Sequence, residues 1–237
     1  MSEALLPLDT RLPALLKSGK RLRGIFNGIA SPAIVEMCAY AGFDFMVIDN
    51  EHGSASIETT ENMLRAARAS NLPTLVQRVK YPLASGANTG KGISGQRGSA
   101  FSSRAAGYGT FGGPAHTQRS NDGIALMVMI ETPEGVTNAE SIAAVEGVDG
   151  VFIGPNDLAY SMSCENRWNE AVVQAAIERT LMAVAAAGKC PGILALSPED
   201  EDKYAAWGAR YFASVSTGII TRALKEAAQG SRHKIAY

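Results

Sequence analysis

The sequence predicts an α/β protein with parallel strands, and three observations lead to that fold class. Short apolar runs alternate along the chain with amphipathic helical stretches, which is typical of a parallel α/β sheet or barrel. Seven of these runs have the length of a strand, and most are followed by a helical pattern. A (β/α)8 barrel has eight strands and about 250 residues. This chain of 237 residues is therefore close to a barrel, with one strand unaccounted for.

The first half of the chain contains three of the predicted strands. They are mainly apolar runs at residues 24–29, 43–49 and 72–79. Two helices are predicted between them, at 31–40 and 57–69. The first of these helices opens with Ser31 as its N-cap and Pro32 at its first position, where proline is well tolerated.

The second half contains the other four predicted strands, at 125–131, 150–155, 192–196 and 210–216. Helices are predicted at 134–145, 169–187 and 219–228, with another beginning at Ser197. Gly188 ends the longest helix, because glycine readily adopts the left-handed conformation that closes a helix. We interpret residues 1–237 as a single α/β-barrel domain.

Residues 80–122 form an irregular segment that interrupts this pattern. The segment is rich in Gly, Ser and Ala and has neither the helical nor the strand periodicity. Either it contains an irregular fourth strand, or a βα unit of about 30 residues is missing here, and the sequence leaves both options open. The stretch SGANTGKGIS within it is no Walker A loop, since Ser85 and Gly92 occupy positions that require Gly and Ser or Thr.

The composition excludes several classes of protein. A net charge of −1 gives no basic surface for nucleic acid or for an anionic membrane. No apolar run approaches the roughly 18 residues of a membrane span. The three cysteines, Cys38, Cys164 and Cys190, are widely spaced and odd in number, which favours a reducing compartment over a disulfide framework. We therefore expect a cytoplasmic protein without nucleic-acid or membrane partners.

Polar residues stand at the ends of several predicted strands, where a parallel barrel gathers its functional side chains. Glu131 and Asp157 follow neighbouring strands and could share one divalent cation, since two carboxylates with water suit Mg²⁺ or Mn²⁺. The alternative is that both carboxylates only stabilise helix N-termini.

His52 and Arg78 are the other two candidates. Asp49, three residues before His52, could orient its imidazole as a general base, although His52 could equally be an ordinary loop residue. Arg78, near the end of the third strand, could bind a carboxylate or an enolate, or could lie on the surface. His116 and His233 have no ligand-spaced partners and are predicted to be surface residues.

Four motifs, VIDNEHG, VMIETPEGV, GVDGVFIGPNDL and GKCPGIL, resemble the HpcH/HpaI aldolase family of metal-dependent pyruvate aldolases. The resemblance covers most of residues 20–79 and 121–228. It implies a (β/α)8 TIM barrel of the phosphoenolpyruvate/pyruvate type, assembled into a homo-oligomer, a hexamer or trimer of dimers, with the last helix exchanged between subunits. The family's fourth-strand block is absent from this chain, and Arg97 and Arg104 match a later loop of the family.

The resemblance also implies roles for individual residues. Glu131 and Asp157 match metal ligands for Mg²⁺ or Mn²⁺, with Co²⁺ as a third option. His52 matches the catalytic base, and Asp49 matches the carboxylate that orients it. Arg78 matches the arginine that binds the ketoacid and stabilises its enolate.

The segment around Asn156 and Asp157 matches the one that receives the pyruvate carboxylate. These roles predict a class II aldolase, a carbon–carbon lyase that joins pyruvate or a related 2-oxo acid to an aldehyde. The related alternatives are aldol cleavage of 2-dehydro-3-deoxy sugar acids, oxaloacetate decarboxylation and cleavage of a CoA ester. A different hypothesis is an impaired barrel that binds metal or ketoacid, or only assembles with intact homologues.

Overall fold

The computed structural model describes residues 11–77, 102, 104–110 and 123–230. Seven strands lie in these ranges: β1 (Leu22–Asn27), β2 (Phe45–Asp49), β3 (Thr74–Gln77), β4 (Met127–Ile130), β5 (Gly150–Ile153), β6 (Cys190–Leu194) and β7 (Tyr211–Val215). The α-helices of the same ranges are α1 (Arg11–Lys17), α2 (Pro32–Tyr40), α3 (Ile57–Ala69), α4 (Pro133–Thr137), α5 (Ala139–Ala143), α6 (Pro155–Ser161), α7 (Ala171–Ala186), α8 (Pro198–Ala206) and α9 (Ser216–Ala228). A short 3₁₀ segment covers Arg104–Gly109. The strand order is β3-β2-β1-β7-β6-β5-β4.

The chain divides into two compact units, and the first consists of Met1–Leu22 and Lys80–Phe212. In this unit β5 is a parallel neighbour of both β4 and β6. All four residues of β5 are buried, because the strand is covered on both faces, and this explains its continuous apolar sequence. Helix α7 packs against the strands through a stripe of buried residues at helical spacing, Val173, Ile177, Leu181 and Val184.

The second unit consists of Arg23–Val79 and Ala213–Tyr237. Here β2 is a parallel neighbour of β1 and β3, with Gly24 beside Phe45 and Asp49 beside Gln77. Gly24 cannot be replaced without rearrangement, because a Cβ atom there would overlap the ring of Phe45. Helices α2 and α3 cover this sheet on the side where Met46 and Met63 are buried.

The parallel α/β class predicted from the sequence is confirmed, with seven parallel strands separated mostly by helices. Helix α3 has the predicted bounds, and the strands lie within about two residues of their predicted positions. No strand falls between β3 and β4 among the residues that the structure describes. Most of the irregular segment 80–122, where a fourth strand was considered, lies outside those residues.

Helix α1 was not predicted, and three further elements differ from the prediction, each for a local reason. Strand β1 ends at Asn27 instead of residue 29, because the Asn27 side chain bonds both the peptide N–H and the carbonyl of Ile29. The predicted helix 134–145 is two short helices that meet at Asn138, where the backbone leaves the helical conformation. Helix α6 was not predicted, although Pro155 at its first position was a usable signal.

Candidate functional site

Glu131 is the first residue after β4, and its side chain lies over Gly154 at the end of the neighbouring strand β5. A Cβ atom placed on Gly154 would stand 3.0 Å from Cγ and 3.1 Å from Cδ of Glu131, and closer still to Oε1. The φ angle of Gly154 is −85°, so the position needs glycine for space and not for its conformation. The absence of a side chain at residue 154 therefore makes room for this carboxylate.

The backbone of Glu131 is held from the same neighbouring strand. The peptide N–H of Gly154 donates to the carbonyl of Ile130 at 3.3 Å. The hydroxyl of Ser161, the last residue of α6, lies 2.7 Å from the carbonyl oxygen of Glu131 and 2.9 Å from that of Leu158. Helix α6 is thus connected to the residue that carries the candidate carboxylate.

Asn156 and Asp157 lie in the first turn of α6, immediately after β5. Both side chains are exposed, whereas Leu158 and Ala159 are fully buried in the core of the first unit. This burial fixes the rotation of the helix and keeps the carboxylate of Asp157 at the surface, beyond the carboxyl end of β5. The structure thus places Glu131 and Asp157 after two hydrogen-bonded neighbouring strands, as the sequence predicted.

We expect replacement of Gly154 by alanine to weaken divalent-cation binding without removing any ligand, because the added methyl group must displace the Glu131 carboxylate. Isothermal titration with Mn²⁺ should show an affinity about 10- to 100-fold lower than wild type, the range seen when the support of a metal ligand is disturbed. Gly218→Ala is the matched control, since a Cβ atom there meets nothing within 4 Å. Unchanged Mn²⁺ affinity in Gly154→Ala would show that the position of Glu131 does not matter for the cation.

In the second unit, Asp49 ends β2 and organises the loop that follows. Its Oδ1 atom accepts hydrogen bonds from the peptide N–H groups of Glu51 and His52, both at 2.9 Å. In this part of the described chain no hydrogen bond joins the Asp49 carboxylate to the imidazole of His52, which is exposed. Asp49 therefore supports His52 through the backbone in this structure, and its predicted action on the imidazole stays a prediction.

The loop is also closely packed at Gly53. A Cβ atom on Gly53 would lie 3.1 Å from the Cα and 3.2 Å from the carbonyl oxygen of Gly28, and would overlap the carbonyl of Asp49. The loop after β2 can therefore approach the turn after β1 only with glycine at this position. The side chain of Asn50 fixes the other side of the loop through hydrogen bonds with Thr60 in α3.

The predicted site residues fall into three groups. Glu131, Asn156 and Asp157 belong to the first unit, and Asp49 and His52 belong to the second, so each group is described within its own unit. The third group is Arg78 alone, which lies outside what the structure describes, as do Arg97 and the side chain of Arg104 from the loop that resembles the family.

Two polar residues of the second unit were missed. Gln77 ends β3, and its Nε2 atom donates to Oε2 of Glu51 at 2.7 Å. The signal was present in the sequence, because Gln77 ends its strand as Asp49 ends β2.

The two carboxylates fit a divalent cation that takes most of its other ligands from water or substrate. Among the described residues no group of three or more His, Cys, Asp or Glu side chains is gathered around one point. Glu131 and Asp157 offer two carboxylates as hard oxygen donors. The Glu131 carboxylate occupies the space over Gly154 that a larger residue would fill. Such a pair suits Mg²⁺ or Mn²⁺, which commonly keep waters or substrate oxygens as further ligands.

The cysteines are poor candidates for a nucleophile. Burial raises the pKa of the Cys190 thiol to about 12, against a smaller opposing effect of the Arg210 charge. Burial also raises the pKa of Cys38. Both thiols are therefore protonated near neutral pH, and thiolate is the reactive form.

None of the helices described here is long and apolar enough to cross a membrane.

Comparison with known proteins gives one consistent set of matches. The family described as HpcH/HpaI aldolase/citrate lyase matches residues 91–222. A hydroxypyruvate/pyruvate aldolase of Delftia acidovorans is 34% identical over 91% of this chain and 88% of its own length. A 4-hydroxy-2-oxo-heptane-1,7-dioate aldolase of Shigella boydii is 32% identical over 94% of this chain and 93% of its own.

A solved structure of an HpcH/HpaI aldolase/citrate lyase family protein from Burkholderia cenocepacia shares the fold. Its TM-score is 0.83 at 27% identity, covering 94% of this chain and 99% of that one. With the seven parallel strands, this likeness confirms the predicted (β/α)8 class, with no fourth strand among the residues that the structure describes.

The lengths of these alignments give the size of one difference from the relatives. The alignment to the Delftia protein spans 244 positions but takes up only 91% of 237 residues, which is about 216. The Shigella alignment spans 251 positions and takes up 94%, about 223 residues. In both cases about 28 positions of the relative have no counterpart here, close to the length of one βα unit.

Proposed function

Because this chain belongs to the HpcH/HpaI aldolase/citrate lyase family, we propose that it is a divalent-metal-dependent aldolase acting through the enolate of pyruvate or a related 2-oxo acid. The observation that carries the proposal is the carboxylate of Glu131, held over Gly154 one strand away from Asp157. The relatives named hydroxypyruvate/pyruvate aldolase and 4-hydroxy-2-oxo-heptane-1,7-dioate aldolase support this type of substrate.

The chain's own residues divide the work of binding and proton transfer. Glu131 and Asp157 would hold the cation, and the segment of Asn156 and Asp157, in the first turn of α6, would receive the carboxylate of the ketoacid. His52 removes a proton from the methyl carbon of pyruvate, and Arg78 offsets the negative charge that then develops on the keto oxygen. A bound Mg²⁺ or Mn²⁺ would act as a Lewis acid that makes the methyl protons more acidic. In the cleavage direction the base takes the proton of the hydroxyl group beside the scissile bond, the carbon–carbon bond breaks to release the aldehyde, and the resulting enolate accepts a proton at carbon to give pyruvate.

The test is proton exchange at the methyl group of pyruvate, followed by NMR in D₂O with Mg²⁺ or Mn²⁺ added. This assay requires no knowledge of the aldehyde partner, since it detects the enolisation step alone. Exchange that EDTA abolishes and that Mn²⁺ restores would support the proposal. A folded, Mn²⁺-binding protein that gives no exchange with pyruvate, oxaloacetate or a longer 2-oxo acid would overturn it.

The alternative of a non-catalytic barrel has one observation in its favour, the total of about 28 positions of the relatives without a counterpart in this chain. It is not favoured, because the relatives that match most of this chain are named aldolases. The local frameworks of Asp49 and Glu131 are also intact, with each held by a hydrogen bond between a side chain and the backbone.

We further propose that the protein assembles into a homo-oligomer through α9. Of the 13 residues in this helix only Ser216 is buried. Leu224 is 64% exposed and Ile219 is 36% exposed, which is unusual for large apolar side chains of a helix. An apolar helix face left uncovered by its own chain is typical of a subunit interface.

We expect Leu224→Asp to lower the mass of the assembly, because a buried charge in an apolar interface is costly. Size-exclusion chromatography with light scattering should give a smaller particle than the wild-type hexamer or trimer of dimers. Arg222→Asp is the control, since residue 222 lies about 200° around the helix from residue 224. Wild-type mass in Leu224→Asp would exclude α9 from the interface.

We place this activity in the cytoplasm. All three cysteines are free, as expected in a reducing compartment.

A further inference from the structure

Gln77 binds the loop that carries His52 with both its main chain and its side chain. It ends β3 directly beside Asp49, the last residue of β2. Its carbonyl accepts the peptide N–H of Asn50 at 3.2 Å, and its Nε2 atom donates to Oε2 of Glu51 at 2.7 Å. The residue therefore connects the neighbouring strand to the two positions that precede His52.

The chemistry of this contact fixes the orientation of the Gln77 amide. The carboxylate of Glu51 can only accept hydrogen bonds when ionised, so the NH₂ group of Gln77 must face it. The amide oxygen then points away, and Oε1 of Gln77 is buried without a hydrogen-bond partner among the described residues. Such an unsatisfied acceptor destabilises the folded state, and an apolar side chain of the same length would avoid that penalty. The contact is thus not explained by stability alone.

Glu51 is held through both its side chain and its peptide N–H. Its side chain accepts the hydrogen bond of Gln77, while its peptide N–H donates to Oδ1 of Asp49. The same Oδ1 atom accepts the peptide N–H of His52. Two contacts thus fix the peptide unit before His52, and Gln77 provides the one that comes from the neighbouring strand.

We infer that Gln77 is a positioning residue for His52 and that it acts through Glu51. The inference rests on the proposed function, in which His52 moves the proton of the ketoacid. Loss of the Gln77 amide would let the side chain of Glu51 rotate and would widen the range of positions that His52 occupies. Catalysis is sensitive to displacements of about 1 Å, so a turnover defect is expected even where binding and folding are unchanged.

Gln77→Met tests this inference, because methionine keeps the length of the side chain and removes both polar atoms. We expect kcat for pyruvate proton exchange to fall about 10- to 100-fold, while KM stays within about twofold and Tm does not decrease. Amide hydrogen exchange at Glu51 and His52, measured by NMR, should accelerate. In a Glu51→Ala background the same substitution should add little, since Gln77 would then have lost the group it acts on. Gln174→Met is the matched control. It removes the amide of a residue of α7, in the first unit, whose Nε2 atom donates to the carbonyl of Trp168.

Each result separates the inference from the proposed function. Unchanged amide exchange at Glu51 and His52 in Gln77→Met would overturn the inference, as would faster exchange with an unchanged kcat. Full additivity with Glu51→Ala would also overturn it, because Gln77 would then act by another route. If wild-type proton exchange does not depend on His52, the role of His52 as the base fails, and the inference fails with it. A folded, Mn²⁺-binding protein that shows no exchange at all overturns the proposed function instead.

Discussion

Replacement of Glu131 by glutamine should reduce metal-dependent exchange of pyruvate methyl protons by about 10³-fold or more. The amide keeps the size of the side chain over Gly154 but removes the negative charge that holds a divalent cation. Several kcal/mol of charge stabilisation by a bound cation corresponds to about this loss in rate. NMR exchange in D₂O and Mn²⁺ titration should show the defect together.

Glu134→Gln provides the control for this substitution. Glu134 lies three residues further on, in the first turn of α4, and its side chain is exposed. The same chemical change there should leave both exchange and Mn²⁺ affinity unchanged. If Glu131→Gln binds Mn²⁺ and exchanges protons as wild type does, the carboxylate over Gly154 is not a metal ligand.

The second large effect is expected at His52. His52→Ala should lower the exchange rate by about 10²- to 10⁴-fold, the range that a positioned general base contributes. Metal affinity should stay at the wild-type value, since His52 belongs to a different loop from Glu131 and Asp157. Added imidazole should restore part of the rate, because a free base can replace the missing side chain.

His116→Ala is the matched control, a histidine that the sequence predicts to be an ordinary surface residue. It should exchange pyruvate protons at the wild-type rate. Full activity in His52→Ala, or a loss of Mn²⁺ binding that accounts for the whole defect, would contradict the role of His52 as the base. These two outcomes are distinguished by measuring the rate at saturating Mn²⁺.

About 28 positions of the relatives have no counterpart in this chain, and this difference gives the Glu131 and His52 experiments a wider meaning. The length matches one βα unit, and in a barrel each such unit contributes one strand and one covering helix. If both substitutions abolish exchange, the chemistry of the family operates without a complete set of eight units. The motifs for the metal and the base lie on either side of the irregular segment, as the sequence alone indicated.

The sequence by itself determined the class of fold, the family and the identity of the candidate carboxylates. This was possible because strand and helix periodicity depends on neighbours in the chain, and β5 and α3 were predicted nearly to the residue. Periodicity did not predict α6 and joined α4 and α5 into one helix, because helices this short do not display a clear helical repeat of apolar residues.

Only the tertiary structure decided how the candidate groups are held. The fit of Glu131 over Gly154 joins residues 23 positions apart, and it depends on the register of β4 against β5. The contact between Gln77 and Glu51 depends in the same way on the register of β2 against β3. The sequence predicts that Asp49 orients an imidazole, and the structure adds that its carboxylate accepts hydrogen bonds from two peptide N–H groups. Strand register and loop closure bring distant residues together, and no local pattern in the sequence records them.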